Sequence, residues 1–144
     1  MGCVLSHLEI FKQAKRLELP YVLIFEDDVT FPLDFDYNFN KCLQELPEDW
    51  DIFYLSGTPK RTPQPINDEI NLCFGMWGTF GYMVRESIYD FLISEFERQR
   101  LTADNALLKI SGLINIYSAR KKLISHSEGY SYIANKHRKV AWLI

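Results

Sequence analysis

The sequence predicts an α/β fold, because two short apolar runs of strand type, several segments of helical periodicity, and their alternation along the chain all point to helices packed on a sheet. Its 144 residues suit one domain, expected to span 1–144. With 47% hydrophobic and 15% aromatic residues, the chain has enough apolar surface to offset the entropy lost on folding.

The elements follow in order. Ser6-His7-Leu8-Glu9 has the form of a capping box, and Leu8, Phe11 and Ala14 recur at helical spacing, so a helix is expected over Ser6–Leu17, stopped by Pro20. Tyr21–Phe25 is a continuous apolar run, as in a strand covered on both faces, and it ends abruptly in Glu26-Asp27-Asp28. Within Phe31–Leu46 a helix is expected from Phe35, closed by Pro47, before a second buried strand at Asp51–Leu55. Ser56-Gly57-Thr58-Pro59 reads as a turn, and Lys60–Asp68, with two prolines, as irregular loop.

Cys73–Val84, rich in glycine and aromatics, predicts strands whose backbones approach another segment or a ligand closely. Arg85–Arg100 predicts a helix with Ile88, Phe91, Leu92 and Phe96 on one face. Thr102 is placed to cap a further helix over Ala103–Lys109, and short strands are expected at Ile114–Tyr117 and Lys121–Ser125. The apolar end, Val140–Ile144, should pack into an element or against a partner, and an exposed sheet edge would invite a homodimer.

A formal charge of −3 offers no broad positive field for nucleic acid. Cys3, Cys42 and Cys73 form neither a disulfide framework nor a CxxC knuckle, and they read as reduced, buried thiols. No apolar run approaches the roughly 20 residues of a membrane span, and the start lacks a secretory pattern, so the chain as given reads as cytoplasmic.

Three consecutive carboxylates at the carboxyl end of a buried strand repel one another unless solvent or a cation compensates them. That edge is where open α/β sheets bind ligands, and carboxylates are the hard oxygen ligands that Mg²⁺ or Mn²⁺ prefers, often shared with phosphates. A polar turn is the other reading of the triplet, and the triplet alone leaves both open.

The wider pattern weighs between them. Gly2-Cys3-Val4-Leu5-Ser6-His7, followed by Leu23-Ile24-Phe25-Glu26-Asp27-Asp28-Val29, closely resembles glycosyltransferase family 25, which includes lipopolysaccharide glycosyltransferases and collagen galactosyltransferase domains. The resemblance continues through Asp49–Gly57, Gly78–Val84 and Thr102–Leu107, and more loosely through Ser125–Ser131. It implies a GT-A-like mixed sheet flanked by helices and N-terminally shortened, since the family carries a further βα region before the Gly-Cys-x-x-Ser-His motif. It also implies a nucleotide-sugar donor, UDP-linked, an inverting transfer to a hydroxyl of a glycan or protein, and Mn²⁺ or Mg²⁺ at a DxD-type motif.

Residue by residue, that motif falls on Glu26, Asp27 and Asp28, with Asp28 foremost and Glu26 beside it as cation ligands. Asp104 takes the position of a general base for the acceptor hydroxyl, or is a first-turn acid favoured by the helix dipole. His126 is either a further cation ligand or an exposed strand-end residue. His7 lies in the motif and is expected to orient its helix or meet donor phosphate. Gly78 and Gly81 either let a sugar approach the backbone or serve strand packing, and Trp77 and Tyr82 are either sugar platforms or core aromatics. Arg120-Lys121-Lys122 and Arg138-Lys139 could meet phosphate or be solvated charge. Two rival classes stand beside transfer: a noncatalytic glycan- or protein-binding descendant, and a metal-dependent phosphohydrolase, which explains only the triplet.

Overall fold

The computed structural model describes residues 2–98, 101–126 and 140–143. Helix α1 (Gly2–Arg16) leads into strand β1 (Tyr21–Glu26), the two-residue β2 (Val29–Thr30) and helix α2 (Phe35–Glu45). Strand β3 (Ile52–Tyr54) is followed by the short β4 (Thr58–Pro59) and β5 (Gln64–Pro65), then β6 (Ile70–Cys73), β7 (Met76–Trp77) and β8 (Gly81–Arg85). A 3₁₀ turn at Glu86–Ile88 enters α3 (Tyr89–Arg98), and α4 (Ala103–Ile110), β9 (Ile116–Ala119), β10 (Ser125–His126) and β11 (Val140–Leu143) follow.

Seven of these strands form one mixed sheet in the order β11-β1-β8-β3-β9-β6-β5. All neighbours are antiparallel except β3 and β9, which run parallel. Since β1 and β3 both oppose β8, the carboxyl ends of β1, β3 and β9 lie at one edge of the sheet.

Strand alternation divides the core into two clusters. Val22, Ile24, Ile52, Tyr54, Tyr82 and Val84 pack under α1, α3 and α4. Phe25, Phe53, Leu55 and Met83 face the other way, where Phe35, Phe39 and Leu43 of α2 cover them. The result is an α/β/α arrangement with a mixed sheet flanked by helices, as the sequence predicts.

Several boundaries differ from expectation. Helix α1 starts at Gly2, so Ser6 lies inside it and is no cap; Val4 extends the apolar stripe of Leu8 and Phe11 one turn upstream and packs against the core. Arg85 belongs to β8 rather than to a helix, because it pairs with Tyr21 and its N–H donates to Asp51 O at 3.0 Å. The predicted helix end at Arg100 lies outside the described residues. The Cys73–Val84 stretch is interrupted at Gly75 and Gly78, both with positive φ, so it breaks into the end of β6, β7 and β8.

Residues 121–124 form no strand: Leu123 is tied to the end of β3 by its N–H donating to Leu55 O at 2.9 Å, and only Ser125–His126 pairs, with β2. Thr102 holds the N-cap position of α4 without a side-chain capping bond. The apolar tail does enter an element: β11 pairs with β1, so β1 is not an edge strand. Cys42 and Cys73 are free and buried, and burial raises both thiols, Cys42 to about 11. Among the described residues no helix is long and apolar enough to cross a membrane.

Candidate active site

Strand β1 is covered on both faces until it reaches the carboxyl edge, where its last residue, Glu26, keeps 5% of its surface exposed. The Glu26 N–H donates to Phe80 O at 2.9 Å, and its Oε1 accepts the Thr79 hydroxyl at 2.7 Å. Glu26 is thereby fixed against the strand that follows Gly78. Asp27 turns out to solvent, whereas Asp28 is half-buried. The Oδ1 of Asp28 is buried and has no hydrogen-bond partner.

Buried polar atoms are almost always paired, so an orphan invites a functional explanation. Among the described residues three side-chain atoms are orphaned in this way: Asp28 Oδ1, His7 Nε2 and Tyr89 Oη. Two of the three belong to residues that the sequence alone marks as site candidates.

His7 sits on the buried face of α1 with none of its surface exposed. Its Nδ1 lies 2.6 Å from the Tyr82 hydroxyl, and the two rings stack at 5.6 Å between centroids and 24°. Tyr82 stacks in turn on Tyr54, also at 5.6 Å. Burial pushes the His7 pKa down to about 4, while the negative charge of Asp104 pulls it up; the ring is therefore neutral at pH 7. Tyr54 is raised, chiefly by burial and also by Asp104. The carboxylate on α4 and the imidazole on α1 thus act on each other electrostatically.

Asp104 Oδ1 accepts the Thr102 hydroxyl at 2.6 Å and the Asn105 N–H at 3.0 Å, and Asn105 Nδ2 donates to Thr102 Oγ1 at 2.7 Å. Thr102 therefore steadies the acid instead of capping the backbone. Ile24 lies opposite Tyr82, and Glu26 is the next residue on the same face of β1, roughly 7 Å further along. The acidic turn lies one step beyond the His7–Tyr82 pair.

His126 reaches the turn by another route. Ribbon β2–β10 sets it opposite Val29, next to Asp28, and its half-buried ring stacks on Phe80 at 3.7 Å and 8°. Gly78 has φ +88°, and a Cβ there would stand 2.4 Å from Phe80 Cε2. A Cβ on Gly81 would stand 2.3 Å from Ile124 Cδ1. Close packing thus accounts for both glycines. Tyr82 is core, with none of its surface exposed, while Trp77 is exposed. Lys121 meets Asp34 at 3.5 Å, Arg120 donates to Asn67 O at 3.1 Å, and Arg138-Lys139 lie outside the described residues.

Sequence reasoning passed over Thr79 and Phe80 as site residues and read Tyr82 as stacking or core, not as a partner of His7. Among the described residues no group of three or more His, Cys, Asp or Glu side chains could by itself hold a metal ion. Magnesium and manganese sites commonly use one or two carboxylates and take their other ligands from phosphate and water. The free, buried oxygen of Asp28 fits that donor set.

The mixed α/β domain, with an acidic turn at the carboxyl edge of its sheet, is consistent with a glycosyltransferase-like fold. Residues 1–70 match the family model described as Glycosyltransferase family 25 (LPS biosynthesis protein). The chain is 29% identical over 93 residues to Procollagen galactosyltransferase 1-A of Xenopus laevis, a match covering 58% of this chain and 15% of the relative. Procollagen galactosyltransferase 2 of Homo sapiens is 26% identical over the same shares. Probable inactive glycosyltransferase 25 family member 3 of Rattus norvegicus is 40% identical over 62 residues, 38% of this chain and 10% of the relative. The chain thus spans a small part of the length of each.

Proposed function

We propose that the chain carries the donor and cation site of a GT-A-type glycosyltransferase that moves a hexose from a UDP-linked donor to a hydroxyl of a glycan or protein. The observation that carries the reading is the buried, unpartnered Oδ1 of Asp28 in an acidic turn at the ligand-binding edge of the sheet. Asp28 and Glu26 would hold Mn²⁺ or Mg²⁺, with His126 alongside. When bound, the cation supplies positive charge against the leaving nucleotide diphosphate.

The remaining roles belong to the chain itself. Glu26, pinned by Thr79, fixes the turn's direction. His7, neutral, fully buried and held by Tyr82, orients α1 beside the site rather than meeting donor phosphate. Asp104 takes the proton of the attacking hydroxyl in an inverting displacement; its Oδ1 is occupied by Thr102 and Asn105, which leaves Oδ2 for that proton.

The test is UDP release from UDP-galactose with Mn²⁺, with EDTA, and in Asp28→Ala. Release that needs manganese and falls by about 10² in the variant, at unchanged folding, is expected. A rate equal in all three arms removes Asp28 from the mechanism. The similarity to relatives described as inactive favours one second reading, a noncatalytic binder on the same fold. Glycan binding with no UDP release under any metal would select it.

A further inference from the structure

A cavity of about 390 Å³ opens beside the acidic turn, on the α2 side of the sheet. Ser56, just past β3, lines it, and the 121–126 segment forms one wall. That wall is fixed: the Leu123 N–H donates to Leu55 O at 2.9 Å, and Leu123 and Ile124 are buried in the second core cluster. The start of α2, with Asp34 and Asn38, makes the opposite wall. His126 lines the cavity as well and sits opposite Val29, next to Asp28.

The lining combines polar side chains with Pro32, Leu123 and Ile124, as small-molecule sites do. Its charge is distinctive in a chain of net −3. Asp34 is already engaged, accepting Asn38 Nδ2 at 2.7 Å and pairing with Lys121 at 3.5 Å. Lys122, which lines the cavity, has no acidic partner among the described residues. A cavity at the small end of ligand sites, roughly 300 to 1,000 Å³, suits one sugar unit rather than a long glycan.

We propose that this cavity is an acceptor-side subsite for a hexose-sized unit bearing an anionic group, phosphate or carboxylate, which Lys122 meets while Ser56 takes a ring hydroxyl. The acceptor role rests on the transfer reading above; the binding does not.

Calorimetric titration of the full chain with glucose 6-phosphate, glucuronate, glucose and inorganic phosphate tests it. Binding of at least one anionic sugar about 10-fold tighter than either glucose or inorganic phosphate is expected, the weight of a charge-assisted contact. Which anionic sugar binds tells phosphate from carboxylate. Lys122→Ala should remove that preference and leave manganese-dependent UDP binding unchanged. Equal binding of glucose, inorganic phosphate as good a ligand as the sugar phosphate, or an unaffected Lys122→Ala variant would overturn the proposal. So would displacement of the sugar by saturating UDP and Mn²⁺, which would place donor phosphate in the cavity. Anionic-sugar binding in a chain that never binds UDP would instead count against the transfer reading alone.

Discussion

The buried Oδ1 of Asp28 carries no hydrogen bond, and such a group is destabilising by roughly 1–3 kcal/mol. Its replacement discriminates a site from a turn. Asp28→Asn should melt no lower than the parent in EDTA, because it removes charge beside Glu26 and Asp27, yet it should lose manganese-dependent nucleotide binding. A drop of more than about 1 kcal/mol in EDTA would favour the polar-turn reading. His7 gives a pH test. Its pKa falls from 6.5 to about 4 on folding, so the unfolded chain binds the proton more tightly and stability declines as pH drops from about 6.5 towards 4. The full loss, on the order of 3 kcal/mol, is reached below the folded value. Urea unfolding at pH 7.5 and pH 4.5 should show that decline in the parent, and a smaller one in His7→Phe. Equal slopes would mean that His7 titrates normally. Both candidates are legible because they stand in the two short motifs that carry the family resemblance; that both are orphaned in the interior depends on packing no motif encodes. Tyr82 was hard to place for the same reason, since an aromatic in a strand looks like core.

At the scale of elements, β1 and β3 are legible because continuous apolar runs mark strands covered on both faces. β7 and β10 hold two residues each, too few for any period, yet β10 carries His126 to the acidic turn. The capping box at Ser6 misled because a cap motif is local, whereas the helix start follows Val4 and its contact with the core. The Gly78 link between β7 and β8 is the hinge of the site's geometry. Gly78→Ala puts a methyl group into Phe80 and strains a φ of +88°, so a loss of about 1–3 kcal/mol is expected. Nucleotide binding should weaken with it as Phe80 and the stacked His126 shift. Chemical denaturation and a UDP titration on the same sample check both, and a variant as stable as the parent would show that Phe80 moves aside freely.

For the whole molecule, β11 is the strand that shields β1. Removing residues 140–144 would leave the β1 backbone as an open edge beside the acidic turn, and open edges pair with other chains. The shortened chain should sediment as dimers or larger species, while the parent sediments as a smaller one. Unchanged sedimentation would show that β11 does not guard that edge. The α/β class followed from alternation along the chain, but the sheet order did not, since β11 and β1 are far apart in sequence and no local signal couples them. The electrostatic influence of Asp104 on His7 is likewise a product of α1 meeting α4 across one core.

The most direct measurement is a calorimetric titration of UDP into the parent chain and Asp28→Ala, with and without Mn²⁺. Binding that requires manganese in the parent and disappears in the variant is the predicted result. Binding that is indifferent to manganese, or retained by Asp28→Ala, would contradict the assignment of the acidic turn as the donor and cation site.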